Sequence, residues 1–580
     1  MMNMKSLRTT YFLLLLLIAV DGPAQVNMQD YEGHWEGAVP NDSAFSATVS
    51  IRKVKPGTAV CRLLVAGNTA NKTFTYQEDQ PFVVPLGGGI VLKGIYQQQR
   101  FDCFMQAGRW LYHLSLVAMG KDQYQCKWNI LLVDHFRSLF LLSIENGYAD
   151  QYEAYAFCTD KRWAGFACYN FTKKDQYLHF NDFRSGLEFE GVLAKDTIAL
   201  TIKSAGLLLT KIFLHRSAKD WNLNPTSTGE TYRYHVPQHL PDGIVAGDIH
   251  QDIPALDETY LQRMVDSIHA GAVTNTHSVL IARKGKLVYE QYFEGFNSTV
   301  PHDQRSAAKS ISSALIGIAI DKGILHDTGQ KLFSLLPPEY RDDAKSDPRK
   351  AAISIASLLT MSSGLDAVDF GIDRKSVASE DEYQNTTDWL RTVTAAPMIN
   401  QPGAHALYSS ANPFLLGVIL NHAVAQPLEY FIHQQLFAPL QINNYIIQND
   451  CFNQPYFGGG MLLTPRDMLK FGLLYANHGQ WKGRQVISKS WIDASFKKYL
   501  VLENHREKNE YGFLWWHYQY TVGNKTIASI EARGAGGQYI FIIPAYELVV
   551  VITSGNFRNG RVWQPEKILE QYILPAIVGK

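Results

Sequence analysis

From about Tyr31 to about His215 a helical apolar period is hard to find, and that limits the first third of the chain to strands. Short runs recur instead, among them Ala44–Val54, Phe74–Tyr76, Gly89–Tyr96, Trp110–Val117 and Thr197–Ile202, separated by polar or glycine-containing breaks. This pattern predicts an all-β unit over residues 25–215, a barrel or a sandwich. Trp35-Glu36-Gly37-Ala38-Val39 and Phe189-Glu190-Gly191-Val192-Leu193 share a pattern, read as two strands with similar demands rather than a repeat. No motif in this region carries chemistry.

Residues 216–254 are polar and hold Pro225, Pro237, Pro241 and Pro254 with Gly229, Gly243 and Gly247 between them, the composition of a linker or wrapping segment. A second unit, 255–580, opens with an amphipathic helix (Tyr260, Leu261, Met264, Val265, Ile268). Two strands follow, Ser278–Arg283 and Lys286–Phe293, turning at Lys284-Gly285. Helices fill the middle, and strands return at Tyr511–His517, Tyr539–Ile543 and Leu548–Thr553. Strands at both ends of a helical middle predict an α+β unit whose sheet joins its two ends.

A length of 580 residues is too much for one core, which agrees with that division. Lys plus Arg and Asp plus Glu balance at 54 each, so no global field favours nucleic acid or an anionic membrane. Lys5 and Arg8 precede an apolar run from Tyr11 to Val20 and small residues at Gly22 and Ala24. This is a leader pattern with cleavage expected after Ala24, so residues 1–24 read as a signal peptide and the product as exported, periplasmic or secreted. No later stretch is long and apolar enough to span a membrane. Five of the six cysteines (Cys61, Cys103, Cys126, Cys158, Cys168) lie in the first third and Cys451 far downstream, which leaves at least one free or paired elsewhere. There is no C-x-x-C pair and no H-E-x-x-H, so no metal is expected.

The chemistry centres on Arg305-Ser306-Ala307-Ala308-Lys309-Ser310. Apolar Ile311, Leu315, Ile318 and Ala319 continue it as a helix that stops at Gly323, so Ser306 stands at the helix start and Lys309 one turn on, facing the same side. A serine hydroxyl needs an adjacent base, and a partly desolvated lysine can be one. S-x-x-K also occurs at Ser50…Lys53 and Ser495…Lys498; only Ser306 immediately precedes a capped apolar helix.

Several further segments strengthen this: Ile353–Asp366 (ISIASLLTMSSGLD), Pro402-Gly403 with Tyr408-Ser409-Ser410 and Leu415-Leu416-Gly417, Gly458–Phe471 (GGGMLLTPRDMLKF), and Tyr511–Trp516 (YGFLWW). In that order they resemble the serine β-lactamase and penicillin-binding superfamily, in its class C-like group of β-lactamases, esterases, D-amino-acid peptidases and oligomer amidases. The resemblance covers roughly Leu256–Ile577. It implies an antiparallel sheet flanked by helices with a helical subdomain, and a groove between them holding the site.

It also implies roles. Ser306 is the nucleophile, Lys309 and Tyr408 handle its proton, and the backbone N–H groups of Ser306 and Ala535 form the oxyanion hole. Ser410, where the family has Asn, and Arg533 and Gly534 contact substrate. The family's third motif, K-[TS]-G, falls on Ala532-Arg533-Gly534 and lacks the lysine that holds a substrate carboxylate. The expectation is therefore an ester or small amide hydrolase without a cofactor. A D-alanyl-D-alanine peptidase or β-lactamase, and a binding protein that keeps the fold, are the alternatives. The partner expected is a small ester, amide or peptide substrate.

Overall fold

The computed structural model describes residues 27–39, 45–129, 139–146, 152–158, 167–182, 186–217, 232–557 and 559–579. The leader expected at 1–24 lies outside them. Among the described residues between 28 and 216, every named element is a strand apart from one short turn of helix at Met28–Tyr31. Eight strands close a barrel, Gly33–Ala38 lying between Leu139–Asn146 on one side and Leu207–Arg216 on the other. Alternating residues fill its interior, as along Thr197–Ser204, where Ile198, Leu200 and Ile202 are buried between half-buried neighbours. Both segments of the shared Trp/Phe-Glu-Gly pattern are barrel strands with their aromatics, Trp35 and Phe189, fully buried. Gly37 is dictated by proximity: a Cβ there would lie 2.3 Å from the Phe213 carbonyl oxygen.

A five-stranded sheet adjoins the barrel, and a seven-stranded one carries Pro81–Gly87, Ile90–Gln97, Arg100–Ala107 and Trp110–Leu114. The expected strand Trp110–Val117 is two strands, because the backbone turns after Leu114 and Val117–Gly120 joins the other sheet. The seven-stranded sheet does not stop at the β region. Trp110, Leu111 and Tyr112 pair with Gln448, Ile447 and Ile446, which in turn pair with Met461–Leu463, and that strand pairs with His302-Asp303. The cores interlock in the same place. Ile95, Phe104 and Leu111 pack into the hydrophobic core of the C-terminal unit, and Ile446 and Leu462 into that of the β region.

The C-terminal unit is built on a nine-stranded sheet. Thr276–Arg283 pairs with Leu548–Ser554, joining the two ends as the sequence predicts. The wrapping segment does wrap: Val245-Ala246 adds a parallel edge strand beside Lys286-Leu287, and the Tyr234 hydroxyl donates to the Val288 carbonyl, 3.1 Å away. One sheet face is covered by the helix Glu258–His269, which buries the five apolar residues expected, and by the C-terminal helices. The other face carries Ala308–Asp321, Pro465–Ala476 and the helical middle.

The segment Tyr511–His517, expected as one strand, is interrupted. Leu514 takes φ of 61°, donating its N–H to the Leu359 carbonyl while its own carbonyl accepts from the Ser310 hydroxyl. Two contacts with the helical layer thus outweigh a continuous ladder there. Among the described residues, no single helix is long and apolar enough to cross a membrane. Cys61, Cys103, Cys126 and Cys451 are free thiols, and the side chains of Cys158 and Cys168 lie outside the described set.

Candidate active site

Ala308–Asp321 is not amphipathic in this setting. Every residue from Ala308 to Ala319 is buried, serines included, because the helix runs between the sheet and the helical layer. Two of its three serines have specific acceptors, Ser310 the Leu514 carbonyl and Ser312 the Phe457 carbonyl at 3.1 Å. Gly317 allows Trp491 to lie flat against it, since a Cβ would fall 2.4 Å from the indole. Gly323, at φ of 70°, ends the helix as expected.

Ser306 lies in the tight turn Arg305–Ala307 that feeds this helix. Arg305, a non-glycine residue, takes φ of 49°, a conformation L side chains avoid and one that recurs at functional turns. Asp303 holds it there. Its Oδ1 accepts the Arg305 backbone N–H at 2.9 Å, and its Oδ2 lies 3.2 Å from the guanidinium. From the other side the strand Lys525–Gly534 presses its last residue on the turn: a Cβ on Gly534 would lie 2.1 Å from the Gln304 carbonyl oxygen and 3.1 Å from the Ala307 nitrogen.

The three residues expected to carry the chemistry are together. Lys309 Nζ lies 2.8 Å from Ser306 Oγ, and the lysine is 1% exposed. Lys309 also donates to the Gly458 carbonyl. Tyr408 is buried under Phe370 and Trp516, with Lys309 Nζ 5.3 Å from its ring centroid. Its backbone is pinned by the Asn504 side chain, which accepts the Tyr408 N–H at 2.8 Å, and by the Asp369 N–H, which donates to the Tyr408 carbonyl at 3.1 Å. Burial holds the Tyr408 hydroxyl well above the usual phenol range, with Tyr511, Asp369 and Glu380 adding to it and a hydrogen bond with Ser306 opposing it. It is therefore a phenol, able to donate a proton.

The turn Met361–Gly364 from the ISIASLLTMSSGLD segment positions this loop: the Leu407 N–H donates to the Met361 carbonyl at 2.9 Å, and that of Gly403 to Ser362 at 2.8 Å.

The remaining candidates separate. Ser410 is 1% exposed, and both its backbone N–H and its hydroxyl donate to Asp369 Oδ2 at 2.7 Å. Gly534 supports the nucleophile turn, as above, and Ala535 is exposed at the end of the same strand. Arg533 lies on the opposite face from Ala532 and Gly534. It donates to Glu531 at 2.7 Å, lies 3.1 Å from Glu566, and is enclosed by Trp516, Tyr518 and Tyr539. Arg533 is thus buried with its charge paired to Glu531 and Glu566.

Sequence reasoning missed two participants. The Gly458 carbonyl lies inside a quoted motif but had no role in it. Asp369 had no signal of any kind, being tied to Ser410 across 41 positions. Burial first, and then the Glu380 carboxylate, push Asp369 up to about 7, with Lys309 opposing.

The family model described as Beta-lactamase matches residues 261–568, more than half of the chain, and the protein belongs to that family. The 6-aminohexanoate-dimer hydrolase of Paenarthrobacter ureafaciens is 22% identical over 310 residues, covering 50% of this chain and 75% of that one. The penicillin-binding protein of Bacillus halodurans is similar at 14% identity and a TM-score of 0.40, covering 54% of this chain and 98% of that structure. A family VIII carboxylesterase is similar at 12% identity and a TM-score of 0.40, covering 56% and 98%. The family is one of hydrolases.

Proposed function

We propose that this protein is a serine hydrolase that cleaves an ester or small amide through an acyl-enzyme on Ser306. The observation that carries it is the 2.8 Å contact between Lys309 Nζ and Ser306 Oγ, beside a buried Tyr408. As a neutral amine, Lys309 keeps one N–H on the Gly458 carbonyl and presents its lone pair to the Ser306 hydroxyl. It takes the proton as Oγ attacks the carbonyl carbon. The backbone N–H groups of Ser306 and Ala535 stabilise the oxyanion, a role supported by the approach of Gly534 to residues 304–307. Tyr408, kept protonated by burial, donates to the departing alcohol or amine and is reprotonated through Lys309. Water then releases the acyl group by the reverse proton path.

Ester or neutral amide is favoured over β-lactam or D-alanyl peptide because the third-motif strand supplies no cation for a substrate carboxylate. Ala532 replaces the lysine, and Arg533 is held by Glu531. The relationship to a 6-aminohexanoate-dimer hydrolase supports the amide option. Exported, periplasmic or secreted action belongs to the same proposal, resting on the leader pattern of residues 1–24.

The test is hydrolysis of p-nitrophenyl acetate and butyrate by the mature chain beside Ser306→Ala and Lys309→Ala, with fluorophosphonate labelling. Loss of turnover in both variants and of label in Ser306→Ala is expected. Turnover that persists in Ser306→Ala overturns the assignment, and turnover of a chromogenic cephalosporin in preference to both esters overturns the substrate class.

A further inference from the structure

Away from Ser306, where the β region meets the hydrolase unit, three side chains converge. Asp102 and His113 come from adjacent strands of the β region, Arg100–Ala107 and Trp110–Leu114, and His433 comes from the helical segment that follows Leu428–Ile432. One ligand-type atom of each lies within 4.8 Å of the other two. His113 Nε2 is 3.2 Å from Asp102 Oδ1, and His433 Nε2 is 3.8 Å from Asp102 Oδ2. The side chains of His113, His433 and Asp102 are 6%, 9% and 15% exposed.

Hydrogen bonding fixes which ring nitrogen of each histidine faces the carboxylate. His113 Nδ1 is 2.7 Å from the Asn443 carbonyl, which can only accept, so Nδ1 carries a hydrogen and Nε2 is the nitrogen that faces Asp102. The Ser115 hydroxyl donates to the same carbonyl at 3.1 Å. His433 Nδ1 is engaged by the Tyr445 hydroxyl at 3.0 Å, again leaving Nε2 toward Asp102. The Asp102 carboxylate and two imidazole Nε2 atoms thus lie together with one buried negative charge among them, which requires a cation or a proton.

A proton on His113 meets part of that requirement. It leaves His433 Nε2 at 3.8 Å from the carboxylate, beyond hydrogen-bond reach. A divalent transition metal meets all of it. Donor atoms sharing one tetrahedral zinc lie ~3.4 Å apart, since each is ~2.1 Å from the metal. The observed approaches, 3.2 Å from His113 to Oδ1 and 3.8 Å from His433 to Oδ2, are to the two oxygens of one carboxylate and are of that order. The second ring nitrogen of each histidine is already held by a carbonyl or a hydroxyl, the outer support that metal-binding histidines use. Phe104, Tyr430 and Tyr445 wall the cluster with aromatic rings.

We propose that Asp102, His113 and His433 bind one divalent transition metal ion of the zinc class, with water as fourth ligand, and that the ion ties the β region to the hydrolase unit. Nothing in the proposed chemistry at Ser306 uses it. Its role is cohesion, because two ligands and the third lie on opposite sides of the junction.

The test uses the full mature chain without a histidine tag, stripped with EDTA and titrated with Co2+ and with Zn2+. One equivalent of Co2+ with ligand-field absorption in the visible is expected, together with a rise in Tm on adding Zn2+. His113→Gln and His433→Gln should each weaken binding by at least ~100-fold, more than the loss of an outer-shell partner costs, and abolish the Tm response. X-ray absorption of the wild-type Zn2+ complex, which needs no variant to fold, should count two imidazoles. No uptake at ~100 µM metal, binding unchanged in both variants, or fewer than two imidazoles in the absorption spectrum overturns the proposal.

Discussion

Ser410 gives both its backbone N–H and its hydroxyl to one oxygen of Asp369, each at 2.7 Å, and so fixes the start of the helix Ala411–Ala423 immediately after Tyr408. The other oxygen accepts the Glu380 N–H at 3.0 Å. Asp369 is thus a half-buried tie between the loop that carries Tyr408 and the acidic helix Glu380–Gln384.

That tie has a pH dependence with a definite sign. Burial raises Asp369 to about 7, whereas an unfolded aspartate ionises near 4. Between those values the folded chain binds more protons, so this group's contribution to stability is greatest at low pH and is lost as pH rises from about 4 through about 7. Asp369→Asn should flatten that part of the stability–pH curve relative to wild type. Urea unfolding at pH 4.5, 6 and 7.5 measures it, and parallel curves for the two proteins would refute it.

Gly534 should be intolerant of even a methyl group. Both atoms it would meet, the Gln304 oxygen and the Ala307 nitrogen, are backbone and cannot swing aside. Gly534→Ala is expected to cost about 1–3 kcal/mol as overpacking and to lower kcat for p-nitrophenyl butyrate by more than about tenfold, since the displaced segment contains Ser306.

Arg533 separates anchoring from cohesion. If it held a substrate carboxylate, Arg533→Met would raise KM for a hemisuccinate ester and spare a butyrate ester. Its bonds to Glu531 and Glu566 predict the reverse: equal KM effects on both esters, with stability lowered by about 3–5 kcal/mol because buried carboxylates lose their cation. Thermal unfolding and paired kinetics read the two outcomes separately.

Leu111→Asp tests the shared sheet. Leu111 is fully buried in the hydrolase core although it belongs to the β region. A charge there should lower Tm of the whole chain in one transition and remove ester hydrolysis, although Leu111 touches no catalytic residue. Two separate transitions, with the hydrolase unit unaffected, would show that the halves do not unfold together.

Much of the candidate site was legible because its members lie in local motifs. Ser306 and Lys309 share one turn of helix, and Tyr408 is marked by the Pro402-Gly403 turn before it. The α+β order of the hydrolase unit and the β nature of residues 28–216 followed from period alone. What the sequence concealed was long-range. The Asp369–Ser410 tie, the Gly458 carbonyl beneath Lys309 and the grouping of Asp102 with His433 have no common period or spacing. The interruption at Leu514 was hidden for a related reason. Its hydrophobic pattern continues as a strand while its hydrogen-bond partners, Leu359 and Ser310, lie in other elements.

The strand ladder from Pro81 to His302-Asp303 ends three residues before Ser306. A chimaera that grafts this hydrolase onto another leader region at Tyr232 would therefore sever a hydrogen-bonded ladder rather than a tether. The exposed edge of Ile446–Gln448 would then be free to recruit foreign strands, so such a graft invites aggregation unless a replacement strand covers Ile447.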